Sequence, residues 1–312
     1  MPPLRRSLLG TSVRQKKELN SFVLCSLIRT FAGVMTYDDF WRPLTQIYEH
    51  SEAKAVAQLV YEQRFHLSLA DILCGRTGDE AELHQIQQQL LQGEPVQYVL
   101  GLAEFGPHIF HVAPGVLIPR PETYELCQWI TQEMRTEGQS QCAILDIGTG
   151  SGCIACTLAA EMTQAKVTAW DISEEALRIA QGNASKLGVD VTFEQVDVLQ
   201  TANSQHLTPN SYDIIVSNPP YICQKERAAM EQNVLEHEPH IALFVPDDDP
   251  LLFYRAIANY GQTALKPGGW LYFEINPLYA RDMQHMLSER SYHDIEIRED
   301  QFGKQRMVRA QR

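Results

Sequence analysis

Apolar positions along the chain change period twice, and each change marks a boundary. Between Thr36 and Gln92 they recur three and four residues apart. Ala53, Val56, Ala57, Leu59 and Val60 make one stripe, and Leu83, Ile86, Leu90 and Leu91 another. That spacing predicts short amphipathic helices with Gln- and Glu-rich outer faces around a small core. Thr36, ahead of the acidic Asp38 and Asp39, suits a helix N-cap. From Gly93 to Val112 the period falls to two. Val96, Tyr98 and Leu100 alternate, and Ile109, Phe110 and Val112 follow a Gly/Pro-punctuated stretch. The pattern predicts a β-hairpin linking two domains. A helix entered through Pro121 then runs from about Glu122 to Thr136.

Beyond Gln141 apolar runs of strand length alternate with helical segments. Strands are expected over 143–147, 167–170, 191–196, 212–217 and 269–275, and helices over 153–162, 174–187, 250–265 and 278–290. Such alternation implies parallel pairing in a doubly wound α/β sheet. Two short strands near 294–298 and 306–309 have no helix between them, so they must form an antiparallel hairpin at one edge. The expected fold is a seven-stranded, mostly parallel sheet. Its expected divisions are a basic extension at 1–34, a helical domain at 35–92, a hairpin linker at 93–120 and the α/β domain at 121–312.

Charge sharpens these divisions. The chain has 26 Lys and Arg against 39 Asp and Glu, a formal net charge of −13. Residues 1–35 hold six basic residues (Arg5, Arg6, Arg14, Lys16, Lys17, Arg29) and one acid (Glu18), a local +5, which leaves −18 on the rest. A body this acidic repels a phosphate backbone, so direct DNA or RNA binding is disfavoured. The first 34 residues match a transit peptide in composition, but a dispensable extension accounts for the same facts. No apolar run is long enough to span a membrane. Seven scattered cysteines suit a reducing cytoplasm rather than a disulfide framework. Cys153 and Cys156 form a C-x-x-C, which a redox site would use. Their apolar neighbours Ile154, Ala155 and Leu158 mark them instead as small core residues. Glu236-His237-Glu238-Pro239-His240 has metal-like composition, yet the proline prevents a helix from aligning the two histidines. It reads as a solvated loop, and no metal site is expected.

Two motifs carry chemistry. Gly148-Thr149-Gly150-Ser151-Gly152 follows the strand ending Asp146-Ile147 and precedes a helix, so its glycines let a ligand approach the backbone closely. Asp171 ends the second strand, where a carboxylate accepts both hydroxyls of a ribose. Asp197 ends the third, within reach of an adenine amino group. Together they read as a nucleoside site. The fourth strand ends in Ser217-Asn218-Pro219-Pro220-Tyr221. The prolines remove amide donors, leaving the Asn218 side-chain oxygen and the Pro219 carbonyl as acceptors for a planar NH2 group, with Tyr221 as a stacking face. That suits methyl transfer to an amide or aromatic amine nitrogen, whose delocalised lone pair needs aiming more than a base.

LDIGTGSG (145–152), Asp171 and SNPPY (217–221) resemble class I S-adenosylmethionine-dependent methyltransferases acting on exocyclic nitrogens, which have a Rossmann-like fold. With GEPVQYVLG (93–101), VLIPRPET (116–123), IVSNPPYI (215–222) and EPHIALF (238–244), the chain is similar to the peptide-chain release factor N5-glutamine methyltransferases, the HemK family. The likeness runs from about Met35 to the C-terminus. It implies a release factor as protein partner, with a Gly-Gly-Gln loop glutamine as acceptor and the small helical domain as its grip. It also implies that Asp146, Gly148, Thr149, Gly150, Ser151, Gly152, Asp171, Asp197, Val198 and Asn218 serve S-adenosylmethionine. Asn218, Pro219, Pro220 and Tyr221 would hold the glutamine amide, and Pro119, Arg120 and Pro121 would wall its channel. A cytoplasmic monomer is expected. The chain departs from the family at Tyr124, where another acid is common, in the acidic turn 245–250, and at Asn276 in place of glycine. The last of these departures, at Asn276 just after Glu274, reads as peripheral. Rival readings are a ribosomal-protein glutamine methyltransferase, an N6-adenine methyltransferase and a non-catalytic scaffold.

Overall fold

The computed structural model describes residues 35–136, 141–203 and 208–312. The expected extension at 1–34 lies outside them. The chain divides into two compact units between Val96 and Gln97.

The first unit is helical: α1 (Tyr37–Leu44), α2 (His50–Phe65), α3 (Leu69–Leu73) and α4 (Glu80–Leu91). Thr36 and Asp39 cap α1 reciprocally. The Asp39 amide donates to Thr36 Oγ1 at 3.2 Å, and the Thr36 amide donates to the Asp39 carboxylate at 3.0 Å. The two apolar stripes meet in a core of Phe40, Leu44, Ala57, Val60, Leu83 and Leu90, each with no exposed surface. Gln87 lies within that core because its side-chain amide donates to the Phe40 carbonyl at 2.7 Å.

Val96 to Leu100 is not a strand. It forms a single helical turn, α5 (Val96–Leu100). Five alternating residues cannot distinguish a period of two from one of 3.6. Pro95 just ahead favours a helix start, and Gly101 at φ +69° stops it. The hairpin itself comes next, β1 (Leu102–Phe105) paired antiparallel with β2 (His108–His111).

The remaining elements are α6 (Pro121–Thr136), β3 (Ala143–Ile147), α7 (Cys153–Glu161), β4 (Lys166–Asp171), α8 (Glu174–Leu187), β5 (Val191–Gln195) and β6 (Tyr212–Ser217). They continue through β7 (Ile222–Cys223), α9 (Gln232–His237), α10 (His240–Leu243), β8 (Phe244–Val245) and α11 (Leu252–Ala264). The chain closes with β9 (Leu265–Glu274), α12 (Ala280–Glu289), β10 (His293–Glu299) and β11 (Gln305–Gln311). The seven-stranded sheet has the order β10-β11-β9-β6-β3-β4-β5. Pairing from β5 across to β9 is parallel, and β11 is antiparallel to both β9 and β10. This is the mostly parallel sheet with an edge hairpin that the sequence pattern predicts, with β11 entering between β9 and β10.

Helices cover both faces, so the central strands are apolar on both sides. Ile144, Leu145, Ile214 and Ile215 have no exposed surface. From β3 the chain winds outward through β4 and β5, then returns to β6 on the other side of β3. That reversal opens a crevice at the carboxyl ends of the strands. Among the described residues no helix is long and apolar enough to cross a membrane.

Candidate active site

The crevice holds a cavity of about 250 Å³ lined by the glycine loop, the ends of β4 and β5, and the tetrapeptide after β6. Gly148 and Gly150 sit at φ +74° and +55°, and a Cβ on either would meet open space. Their bare backbone therefore faces the cavity. The Gly150 amide donates to Asp171 Oδ2 at 2.8 Å, and the Ser173 amide donates to Oδ1 at 2.9 Å. Burial pushes the Asp171 carboxyl above its ordinary range, against the pull of these amides.

Thr149, Ser151, Asp171, Asp197, Val198, Asn218, Pro219 and Pro220 line this cavity, as do Pro119 and Arg120. Asp146, Gly152 and Pro121 are not on its wall. Asp146 is wholly buried beneath the loop, where Oδ2 accepts from Thr149 Oγ1 at 2.6 Å and from the Ala155 amide at 3.2 Å. It shapes the loop through Thr149. Gly152 packs against Ala180 on α8, and Pro121 opens α6. Asp197 is partly committed already, since its carboxylate accepts from the Leu199 amide and from Gln200 Nε2. Leu199, Phe253 and Ile257, none of them singled out by sequence, add apolar wall.

A second cavity of about 220 Å³ adjoins the first. Leu117, Arg120, Asn218 and Ala242 line both, so Asn218 stands at the junction. Tyr221 lies only on the second cavity, with Met230, Val234 and Glu274. Arg120 is held by an ion pair to Glu238, whose other oxygen accepts from the Ile118 amide at 3.2 Å. Glu238 is 4% exposed. The segment read as a solvated loop thus carries a buried carboxylate that backs the wall through Arg120, with a cation and an amide to satisfy it.

Glu274, to which the sequence reading gives no role, belongs to the site. It is buried and accepts from Thr123 Oγ1 at 2.5 Å and Tyr221 Oη at 3.0 Å. Burial raises its carboxyl above the usual range. The signal was present: Glu274 ends β9 as Asp171 ends β4. Tyr124 faces away, its ring packed on Phe105 and its hydroxyl donating to Glu161 at 3.2 Å. Cys153 and Cys156 have thiols pushed up to about 12 by burial, which does not suit a redox pair; Cys156 is buried in the core, and the half-buried Cys153 lines the larger cavity.

A glycine loop, a strand-end acid and an acceptor-rich tetrapeptide at the switch point of this sheet define a class I methyltransferase. A methyltransferase-domain family model matches residues 139–294, and such a domain uses S-adenosylmethionine. The chain is 47% identical over 274 residues to the release factor glutamine methyltransferase of Bacteroides thetaiotaomicron, covering 86% of this chain and 96% of that protein. It is 39% identical to the enzyme of that name from Flavobacterium psychrophilum, over 87% of this chain and 96% of that one. Its likeness to the Streptococcus pneumoniae enzyme of the same name is 36% identity over 85% and 97%. The chain belongs to the release factor glutamine methyltransferase family.

Proposed function

We propose that the protein methylates the side-chain amide nitrogen (N5) of the glutamine in the Gly-Gly-Gln loop of a peptide-chain release factor. The observation that carries the reading is Asn218 at the junction of the two cavities. One cavity suits the methyl donor and the other the glutamine. S-adenosylmethionine, when bound, supplies an electrophilic sulfonium methyl. The residues of the larger cavity fit it: open backbone at Gly148 and Gly150 for the methionine end, and Asp171 for the ribose. Val198, Leu199 and Phe253 offer an apolar slot for the adenine, with Asp197 at its edge.

An amide nitrogen is a weak nucleophile because its lone pair is delocalised. Asn218 Oδ1 and the Pro219 carbonyl each accept one hydrogen of the NH2 group, which fixes its plane and favours rehybridisation. Pro219 and Pro220 stiffen that backbone, and the Tyr221 ring stacks on the amide. No general base is needed before the nitrogen attacks. Arg120, on both cavities, and Pro119, on the first, belong to the channel by which the glutamine enters, with Pro121 behind them at the start of α6, and the N-terminal helical unit grips the rest of the release factor. On this reading the enzyme is a cytoplasmic monomer, and its acid excess supports the absence of direct DNA binding.

Incubation with labelled S-adenosylmethionine and a release factor tests this directly. Label is expected on the wild-type factor and not on its Gln→Ala loop variant. Equal labelling of both overturns the proposal.

A further inference from the structure

Behind Asn218 runs a chain of hydrogen bonds with a single direction. Asn218 Nδ2 donates to Thr123 Oγ1 at 3.2 Å, and Thr123 Oγ1 donates to Glu274 Oε2 at 2.5 Å. The other Glu274 oxygen accepts from Tyr221 Oη at 3.0 Å. Glu274 is 2% exposed; burial raises its carboxyl, while the hydrogen bonds from Thr123 and Tyr221 and the positive charge of Arg306 oppose that and favour the ionised form.

A carboxylate can only accept, so both hydroxyl protons are committed to it. The Thr123 oxygen then has no proton to offer Asn218 and must itself accept. A side-chain amide beside it can satisfy that demand in one orientation alone, with Nδ2 toward Thr123. Oδ1 is left for the cavity.

We propose that Glu274, acting through Thr123, is the positioning residue that sets which end of the Asn218 amide faces the substrate. This rests on the reading that Asn218 accepts a hydrogen from the substrate glutamine. The orientation is not trivial. An asparagine turned the other way presents an NH2 group to the substrate NH2, and two donors repel. The same carboxylate pins the Tyr221 hydroxyl, so one buried acid orients both ends of the tetrapeptide. Asn276 Nδ2 adds a hold on the Tyr221 carbonyl at 3.2 Å. The asparagine that departs from the family's glycine therefore supports the same segment.

The experiment compares Thr123→Val, Thr123→Ser and Glu274→Gln with wild type on a release factor. Thr123→Val keeps the shape and removes the relay. Its kcat is expected to fall about 100-fold, with cofactor affinity by calorimetry close to wild type and a lowered melting temperature, since buried Glu274 loses one donor. Thr123→Ser restores the hydroxyl and is expected to recover most of kcat. Glu274→Gln turns one acceptor into a donor and is expected to lose kcat about 10-fold. An unchanged kcat in Thr123→Val or Glu274→Gln, or a Thr123→Ser variant as impaired as Thr123→Val, overturns the proposal.

A second arm needs no turnover. The Asn218 side-chain amide signal in NMR, assigned by its loss in Asn218→Asp, is expected to shift in Thr123→Val. If it does not, the relay is wrong whatever the substrate. If wild type transfers no methyl to a release factor, the functional reading fails and the NMR arm still decides the relay.

Discussion

The Gly150 amide donates to the Asp171 carboxylate at 2.8 Å, which ties the glycine loop to the end of the second parallel strand. Asp171 thereby does two jobs: it holds the loop in shape and presents a half-buried carboxylate to the cavity. Both oxygens accept from backbone amides, so an asparagine must point its NH2 group at an N–H donor. Asp171→Asn is expected to weaken S-adenosylmethionine binding by at least about 10-fold, on the scale of one lost charge-assisted hydrogen bond. Asn218→Ala is expected to abolish transfer while cofactor affinity falls much less. Calorimetry beside turnover separates the two. Equal losses of binding and transfer in Asn218→Ala would make it a cofactor residue.

The ion pair between Arg120 and Glu238 joins the two segments that wall both cavities. Removing Glu238 leaves the Ile118 amide without its acceptor and the guanidinium without its anion. Arg120 is about a third exposed and keeps access to water, so the cost falls below that of a fully buried pair. Glu238→Ala is expected to destabilise the fold by about 1–3 kcal/mol, read from urea midpoints. It is also expected to raise KM for the protein substrate more than for the cofactor. A variant with wild-type stability and KM would mean that Glu238 plays no part in the wall.

Much of this was legible along the chain, for identifiable reasons. The parallel strands are legible because burial on both faces demands near-continuous apolar runs such as Ala143–Ile147 and Tyr212–Ser217. Gly148, Gly150, Asp171 and Asn218 are legible because they lie at strand ends, where local sequence alone fixes their place beside the crevice. Val96–Leu100 was misread because five residues carry too little period. Glu238, read as part of a solvated loop, and Glu274, given no role, are hidden for a different reason. Each is satisfied by a partner more than 100 residues away in sequence, Arg120 and Thr123 respectively. The strand end hints that Glu274 faces the crevice, as it does for Asp171, but a lone acid carries no local sign of which distant partner satisfies it.

Asp146 makes stability depend on pH. Burial pushes its carboxyl up to about 7 from the usual 3.8, with hydrogen bonds from Thr149 and the Ala155 amide only partly opposing. Between those values the unfolded chain has released the proton and the folded chain retains it. Stability from this group therefore falls as pH rises across that window and levels off above about 7. Its full extent is on the order of 4 kcal/mol. Asp146→Asn does not titrate, so its stability relative to wild type is expected to rise from pH 4 to pH 7 in urea melts of the cofactor-free enzyme. A constant difference over that range would show that Asp146 is already ionised in the fold.

Gly150 and Gly152 both have positive φ, at +55° and +80°, but they face different surroundings. A Cβ on Gly152 would lie 2.9 Å from the Ala180 Cβ and 3.2 Å from its Cα, and the latter is backbone that cannot swing aside. A Cβ on Gly150 would enter the open cavity. Both alanine variants bear the left-handed backbone penalty, roughly 1–2 kcal/mol. Gly152→Ala adds a clash between α7 and α8, worth about 1–3 kcal/mol more. Thermal melts of the cofactor-free protein are thus expected to rank Gly152→Ala well below Gly150→Ala. Cofactor binding is expected to reverse part of that contrast, since the Gly150→Ala methyl occupies ligand space, so S-adenosylmethionine should raise its melting temperature less than it raises that of wild type. Equal stabilisation of Gly150→Ala and wild type by the cofactor would remove the glycine loop from the binding site.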